Sequence, residues 1–305
     1  RRCMTKKKEN LEQAATVEQP AENLGAVDTA SENNSEGTDA TLQAQTDSDS
    51  VNTSPEGATD DLNAQDVNPF YTVVIPFFKA KHREEEVVKV IESCAQYLLE
   101  NIRFVTIGDQ VEYTKDMFIE HIEYNGAEGS QLDILEVLKL AIVSESVSEK
   151  FILIEPGSYL IDNVGLCHIA IFKHFGMLNP NRYTGAEAVM MKNTAALLSD
   201  TLRLAAYDYN THCPVLLEKE KLTEMFEECP EILSGKYHLL TVYGCAYAVH
   251  PIRLDFHTDG WILPVVSQKP DSKTVERLIA DKCFLYLKHF QENVKFLNPF
   301  LDTKK

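Results

Sequence analysis

Four apolar residues in succession, Phe151-Ile152-Leu153-Ile154, run straight into Glu155-Pro156-Gly157. A strand with one solvated face alternates apolar and polar residues. An unbroken, mostly branched run reads instead as a strand covered on both faces, the condition at the centre of a parallel sheet. Proline cannot donate to the ladder and glycine permits a sharp turn, so the strand is expected to stop at Glu155. In open α/β sheets, ligands gather at the carboxyl ends of such strands. A carboxylate there is placed to meet a metal or a sugar hydroxyl; an ordinary polar turn is the plainer alternative.

The flanking sequence supplies neighbours for this strand. Phe70-Tyr71-Thr72-Val73-Val74-Ile75-Pro76 is a β-branched run closed by proline. Glu84, Glu85 and Glu86 suit the first turn of a helix, and Val87, Val88, Ile91, Ala95, Leu98 and Leu99 then recur at helical spacing. Ile102–Ile107 predicts a second strand ending at Gly108-Asp109, and Met117–Tyr124 a shorter third. After the loop 125–129, Ser130 and Asp133 form a capping-box pattern before a helix bearing Leu135, Leu138 and Ile142. Strands alternating with helices predict an α/β domain with a mostly parallel sheet flanked by helices. Right-handed connections bring Pro76, Asp109 and Glu155 to one rim, the candidate pocket.

Downstream the expectations are coarser. Val164–Phe175 reads as an apolar helix with His168 and His174 as packing residues. Residues 179–182 read as a turn, Thr194–Leu204 as a short helix, and Val215–Leu217 as a strand. Glu218–Glu228 predicts a charged helix, Tyr237–Val249 is β-prone with a break at Gly244, and Thr274–Phe290 predicts a C-terminal helix.

Composition narrows what such a domain can do. Residues 1–66 hold no aromatic residue, and residues 1–68 carry 14 acidic against 5 basic side chains, half of the net charge of -18. This stretch cannot bury enough apolar surface to offset the entropy of ordering, so it reads as a disordered acidic tail before an α/β domain over residues 67–305. A solvating extension or an interaction tail both fit that composition. The charge argues against nucleic acid as a partner, because phosphate binding needs a basic face. Seven cysteines without CxxC spacing read as reduced thiols. With no signal-peptide pattern and no apolar run of membrane-spanning length, the expected location is cytoplasmic, without a membrane span. Position 1 is not methionine, and Met4 is the expected start. Neither a Ser/His/Asp arrangement nor a P-loop pattern is found.

The order of segments over Tyr71–Leu301 resembles the GT-A-type, Rossmann-related nucleotide-sugar transferases. More narrowly, it is similar to a glycosyltransferase-like group of bacteriophages and bacteria, distantly akin to stealth-type capsular-polysaccharide phosphotransferases. Val73–Pro76 looks like the family's first strand, beneath the nucleotide, and Val105–Asp109 like its second. Tyr209-Asn210-Thr211-His212-Cys213-Pro214 followed by Glu218–Leu222 looks like the most specific signature, and Tyr243-Gly244-Cys245 resembles a later Tyr-Gly-Asn.

The resemblance implies a sugar transferred from a nucleoside diphosphate sugar to an unknown acceptor, in the host cytoplasm if the chain is phage-encoded. It implies Mn2+ or Mg2+ at the leaving diphosphate, although Glu155-Pro156 replaces the family's aspartate pair. On this reading Pro76 and Asp109 bind the nucleotide, Glu155 and His212 hold the metal, and Asp208 orients the histidine. Glu155 and Asp259 are then the catalytic carboxylates, with Asp259 or Asp255 as the base; Trp261 is a candidate sugar platform, for which a rim tryptophan beside a turn is the plainer reading. The alternatives are a catalytically silent GT-A-like binding or phage accessory module, and a nucleotidyl- or sugar-phosphate transferase.

Overall fold

The computed structural model describes residues 70–112, 120–124, 130–249, 251–255, 259–263 and 282–287; the tail over 1–66 lies outside the described residues. Its centre is a five-stranded sheet in the order β3-β2-β1-β4-β7. These strands are β1 (Tyr71–Phe77), β2 (Ile102–Gly108), β3 (Glu120–Glu123), β4 (Lys150–Leu153) and β7 (Val215–Glu218). The first four run parallel, as the sequence predicts, while β7 is antiparallel to β4. The described part of the expected third strand is confined to Glu120–Glu123.

Helices cover both faces. On one, α1 (Glu84–Tyr97) presents Val87, Val90, Ile91 and Cys94 to Val73, Ile75 and Phe77 of β1. Strand alternation puts Val74 on the other face, where α2 (Ser130–Val143) buries Leu135, Val137, Leu138 and Ala141. Of the expected α1 stripe, Val87, Ile91 and Leu98 are buried and Val88 partly so, whereas Ala95 and Leu99 are exposed; Leu98 and Leu99 lie past the helix end.

Beyond β4 the chain turns at Glu155-Pro156-Gly157-Ser158, closed by a bond from Ser158 N–H to Glu155 O of 3.0 Å. Gly157 has φ +95. Proline second and a positive-φ glycine third are the demands of a type II turn. The chain re-enters β structure at once as β5 (Ser158–Leu160), in a second sheet of order β5-β10-β9 with β9 (Gly260–Leu263) and β10 (Phe284–Leu287). Tyr159, Leu160, Phe284, Leu285 and Leu287 join the core shared with α1.

Four expectations are corrected. Val164–Phe175 holds only the one-turn α3 (Leu166–Ile169) and the two-residue β6 (Lys173–His174), which pairs with β8 (Ile252–Arg253). His168 is exposed there, whereas His174 is buried against the rings of Tyr207 and Tyr209. The helix expected at Thr194 begins nine residues earlier: α4 spans Gly185–Ala196 and widens into a π turn over Leu197–Thr201. Its first half is exposed, so no buried stripe marks it in the sequence. Tyr237–Val249 contains a helix, α6 (Leu239–Tyr247), and no strand. All but one of its residues are buried, so it is apolar all round, and burial overrides the β propensity of its Val, Thr and Tyr. Of the expected C-terminal helix, residues 284–287 form β10; the flanking residues lie outside the described ones. The charged helix is found as expected, as α5 (Lys219–Glu228).

Candidate functional site

A cleft of about 970 Å³ opens at the carboxyl ends of β1 and β4. From β1 the chain passes to β2 on one side, whereas β4 lies on the other, so the cleft occupies the point where the strand order reverses. Its position follows from backbone hydrogen bonding. The β1–β4 ladder covers only Thr72–Val74 and ends with Ile154 N–H donating to Val74 O at 3.1 Å. In a parallel strand alternate residues face the same neighbour, so the next position directed at β4 is Pro76, which has no N–H to offer. The two strands part there, and Pro76 and Pro156 both line the opening.

Glu155 and His212 meet inside this opening. Because β7 runs antiparallel to β4 with Val215 opposite Leu153, the residues just before β7 lie beside those just after β4. His212 Nδ1 is 2.9 Å from Glu155 Oε2. Three further features fix the histidine. Its backbone sits at φ +54, a left-handed conformation that L residues other than glycine rarely adopt. The Ser158 hydroxyl donates to its carbonyl. Its ring stacks on Tyr286 with centroids 4.1 Å apart and planes 8° from parallel.

Electrostatics assign the proton in this pair. Burial alone would raise the Glu155 carboxyl, but the opposing causes, led by the hydrogen bond from His212, outweigh it and hold it below the ordinary value. An ionised carboxylate only accepts, so the proton between the two groups belongs to His212 Nδ1. In the neutral imidazole Nε2 then carries the lone pair. This is the arrangement by which a carboxylate fixes an imidazole as a base.

The sequence reading missed two further histidines on the cleft, His82 and the more deeply buried His238. His238 is the N-cap of α6: its Nδ1 accepts from Thr241 N–H at 3.2 Å and lies 2.9 Å from Thr241 Oγ1. Its own N–H donates to Thr194 Oγ1 at 2.9 Å. Burial pushes its pKa down to about 4, against a smaller upward pull from Glu155. The detectable signal was a polar residue just before an apolar run, the mark of a helix start; the β-prone composition obscured it.

The walls combine apolar and cationic groups. Ala186, Val189, Met190 and Asn193 of α4 recur at i, i+3, i+4 and i+7 and so form one stripe along the cleft. Leu132 and Ile134 of α2 contribute a second apolar wall. Lys81, His82 and Lys236 also line it; Lys81 is paired with the buried Asp133, while Lys236 has no ion pair among the described residues. Asn210 Nδ2 donates to Glu187 Oε1 at 2.9 Å on the rim.

The remaining expected site residues are used elsewhere. Asp109 accepts from Lys79 N–H at 2.6 Å, tying down the loop after β1, and does not line the cleft. Asp208 is fully buried and takes the Tyr183 hydroxyl on both oxygens, at 2.8 and 2.7 Å. The partner that orients His212 is therefore Glu155, not Asp208. Asp259 is bound by Lys173 Nζ and Asp255 N–H, each at 2.8 Å, and is also absent from the cleft lining. Asp133 is buried and paired with Lys81, and the side chain of Trp261 lies outside the described residues.

The donor set does not fit the expected Mn2+ or Mg2+. The nitrogen and the carboxylate that would hold the ion are bonded to each other, and the free Nε2 diverges from Glu155. Among the described residues no three His, Cys, Asp or Glu side chains converge. One carboxylate oxygen is left where a hard cation asks for about six oxygen ligands. Among the described residues no helix is long and apolar enough to cross a membrane. No protein-family model matches this chain, and no curated protein matches it.

Proposed function

We propose that this chain is a GT-A-like glycosyltransferase that moves a sugar from a nucleoside diphosphate sugar to a hydroxyl acceptor without a protein-held metal. The observation that carries the reading is the Glu155–His212 pair, 2.9 Å apart in a 970 Å³ cleft at the strand-order reversal. The volume suits a ligand of nucleotide-sugar size. His212 Nε2 takes the proton of the acceptor hydroxyl as that oxygen attacks the sugar carbon, and Glu155 stabilises the imidazolium that forms. The bond from the sugar to the diphosphate breaks, and the leaving charge is met by Lys236 and Lys81, the cationic side chains of the cleft. The base role expected of Asp259 passes to His212, because Asp259 is held by Lys173.

The test is a thermal-unfolding screen of the full chain with UDP, GDP, CDP, TDP and their sugars, each with Mg2+, Mn2+ or EDTA. At one hundred times its dissociation constant, the right ligand adds about 2.7 kcal/mol of stability. The expected result is a shift with one nucleotide class that survives EDTA, followed by turnover of its sugar form. A shift without turnover would instead support a binding module, and no shift with any nucleotide would sink the transferase reading.

A further inference from the structure

The α6 cap leaves His238 with a single free ring position. A backbone N–H can only donate, so the bond from Thr241 N–H obliges His238 Nδ1 to carry a lone pair. The ring proton is then on Nε2. The residue is more than nine-tenths buried and lines the cleft. Burial also keeps this ring from taking a second proton at neutral pH. His238 is thus an uncharged N–H donor that cannot rotate away without uncapping a helix.

Glu155 presents the complementary group. Its Oε2 is taken by His212, and Oε1 has no hydrogen-bond partner among the described residues. The side chain retains 29% exposure on the same cleft. The residues carrying this donor and this acceptor both line the same cleft. A ligand hydroxyl satisfies both, accepting from one and donating to the other. A phosphoryl group does not: at neutral pH it has little proton to give, and its charge is opposed by the carboxylate.

We infer that His238 and Glu155 form a subsite for a sugar hydroxyl, with His238 Nε2–H donating to the hydroxyl oxygen and Glu155 Oε1 accepting its proton. The inference deepens the transferase reading and rests on it for the choice of a sugar as the ligand. It assigns the polyol part of the ligand to Glu155 and His238, and the phosphates to the lysines. His238 becomes a specificity-determining residue, because a site built around a hydroxyl is left with unpaired buried groups when a deoxy analogue binds.

The experiment is a titration of the full chain, isotopically labelled at histidine nitrogens, with free glucose, galactose and mannose, their monodeoxy forms, and inorganic pyrophosphate. In the free protein His238 is expected as the Nε2–H tautomer; finding the proton on Nδ1 would overturn the proposal. One hexose is expected to perturb the His238 Nε2 resonance, and one of its monodeoxy forms to bind about ten- to hundredfold more weakly. Pyrophosphate should leave that resonance in place. Movement with pyrophosphate, or none with any hexose, would count against the subsite.

His238→Asn separates the donor from the fold, because asparagine keeps the N-cap while deleting the ring N–H. It should unfold as the unchanged chain does yet lose hexose affinity about ten- to hundredfold. An unchanged affinity would refute the role. If it does not fold, Glu155→Leu is the second variant: hexose binding lost with pyrophosphate binding retained supports the subsite, and hexose binding retained overturns it. A hexose response without nucleotide stabilisation would leave the subsite standing and remove the transferase. A nucleotide response without any hexose response would do the reverse.

Discussion

The loop at His212 and the cap at His238 hold the same side chain at the same cleft and obtain opposite chemistry from it. At His212 the neighbour of Nδ1 is a carboxylate, so the proton is drawn to Nδ1 and Nε2 offers a lone pair. At His238 the neighbour is a backbone N–H, so Nδ1 is bare and Nε2 offers a proton. The two also differ in what they do for the fold. His212 occupies a backbone conformation with φ +54 that costs of order 1 kcal/mol or more. His238 satisfies donors at a helix start, a contribution of about 1 kcal/mol. An imidazole's role is thus set by what its other nitrogen touches, and a residue serving the ligand need not be the one supporting the fold.

The largest effect should come from separating the members of the His212 pair. On the proposed transferase reading, Glu155→Gln and His212→Ala are each expected to lower turnover of the nucleotide sugar by about 10² to 10⁴. Combined, they should cost little more than either alone, because the two residues act as one base. Full additivity in steady-state rates would mean that they work separately and would break the comparison.

Next is the acid response of the cap. The folded pKa of His238 is about 4 against an ordinary 6.5. Below pH 6.5 the unfolded chain binds a proton that the folded chain refuses. The stability from this group is therefore complete above pH 6.5 and lost as the pH falls toward 4, in total about 3 kcal/mol. Glu155, whose folded pKa is depressed, adds a loss of the same sign only as the pH falls below its ordinary 4.5. Urea unfolding at a series of pH values should show the upper part of this slope in the unchanged chain and not in His238→Asn. A slope surviving in the variant would assign it to another group.

Gly244 tests the helix that His238 caps. A Cβ placed there would lie 2.7 Å from ring carbons of Tyr209. Gly244→Ala is expected to destabilise the chain by about 2 kcal/mol, measured as a lower denaturation midpoint. A neutral result would mean that α6 can withdraw from the Tyr209 ring.

The smallest effect returns to His212. Glycine relieves the left-handed backbone and alanine does not, so His212→Gly should be more stable than His212→Ala by about 1 kcal/mol while both are inactive. Equal stabilities by equilibrium unfolding would show that the loop relaxes around the substitution.

The sequence disclosed those parts whose cause is local. Phe151–Ile154 showed its burial on both faces by lacking alternation, and Pro156-Gly157 showed where it had to stop. Glu155 and His212 were each visible, one at a strand end and the other in a polar aromatic loop. Their union was hidden, because it depends on β7 running antiparallel to β4, and strand direction is set by pairing partners rather than by residues 215–218 themselves. The start of α4 was obscured by its exposed stripe. The helix after His238 read as a strand because its residues favour strands wherever packing does not decide.

Pro76 has a consequence for how this protein could diversify. The strands β1 and β4 part where the next rung would need an N–H that Pro76 lacks, its place taken by a carbon of the proline's own ring. Residues along the rim are therefore free to change in size, charge or polarity without the sheet zipping shut over them. A substitution at position 76 that restores the N–H would give the ladder one more rung and narrow the mouth for every ligand at once. Architecture and selectivity are inherited here from separate positions, so one scaffold can be retuned to different molecules without being rebuilt.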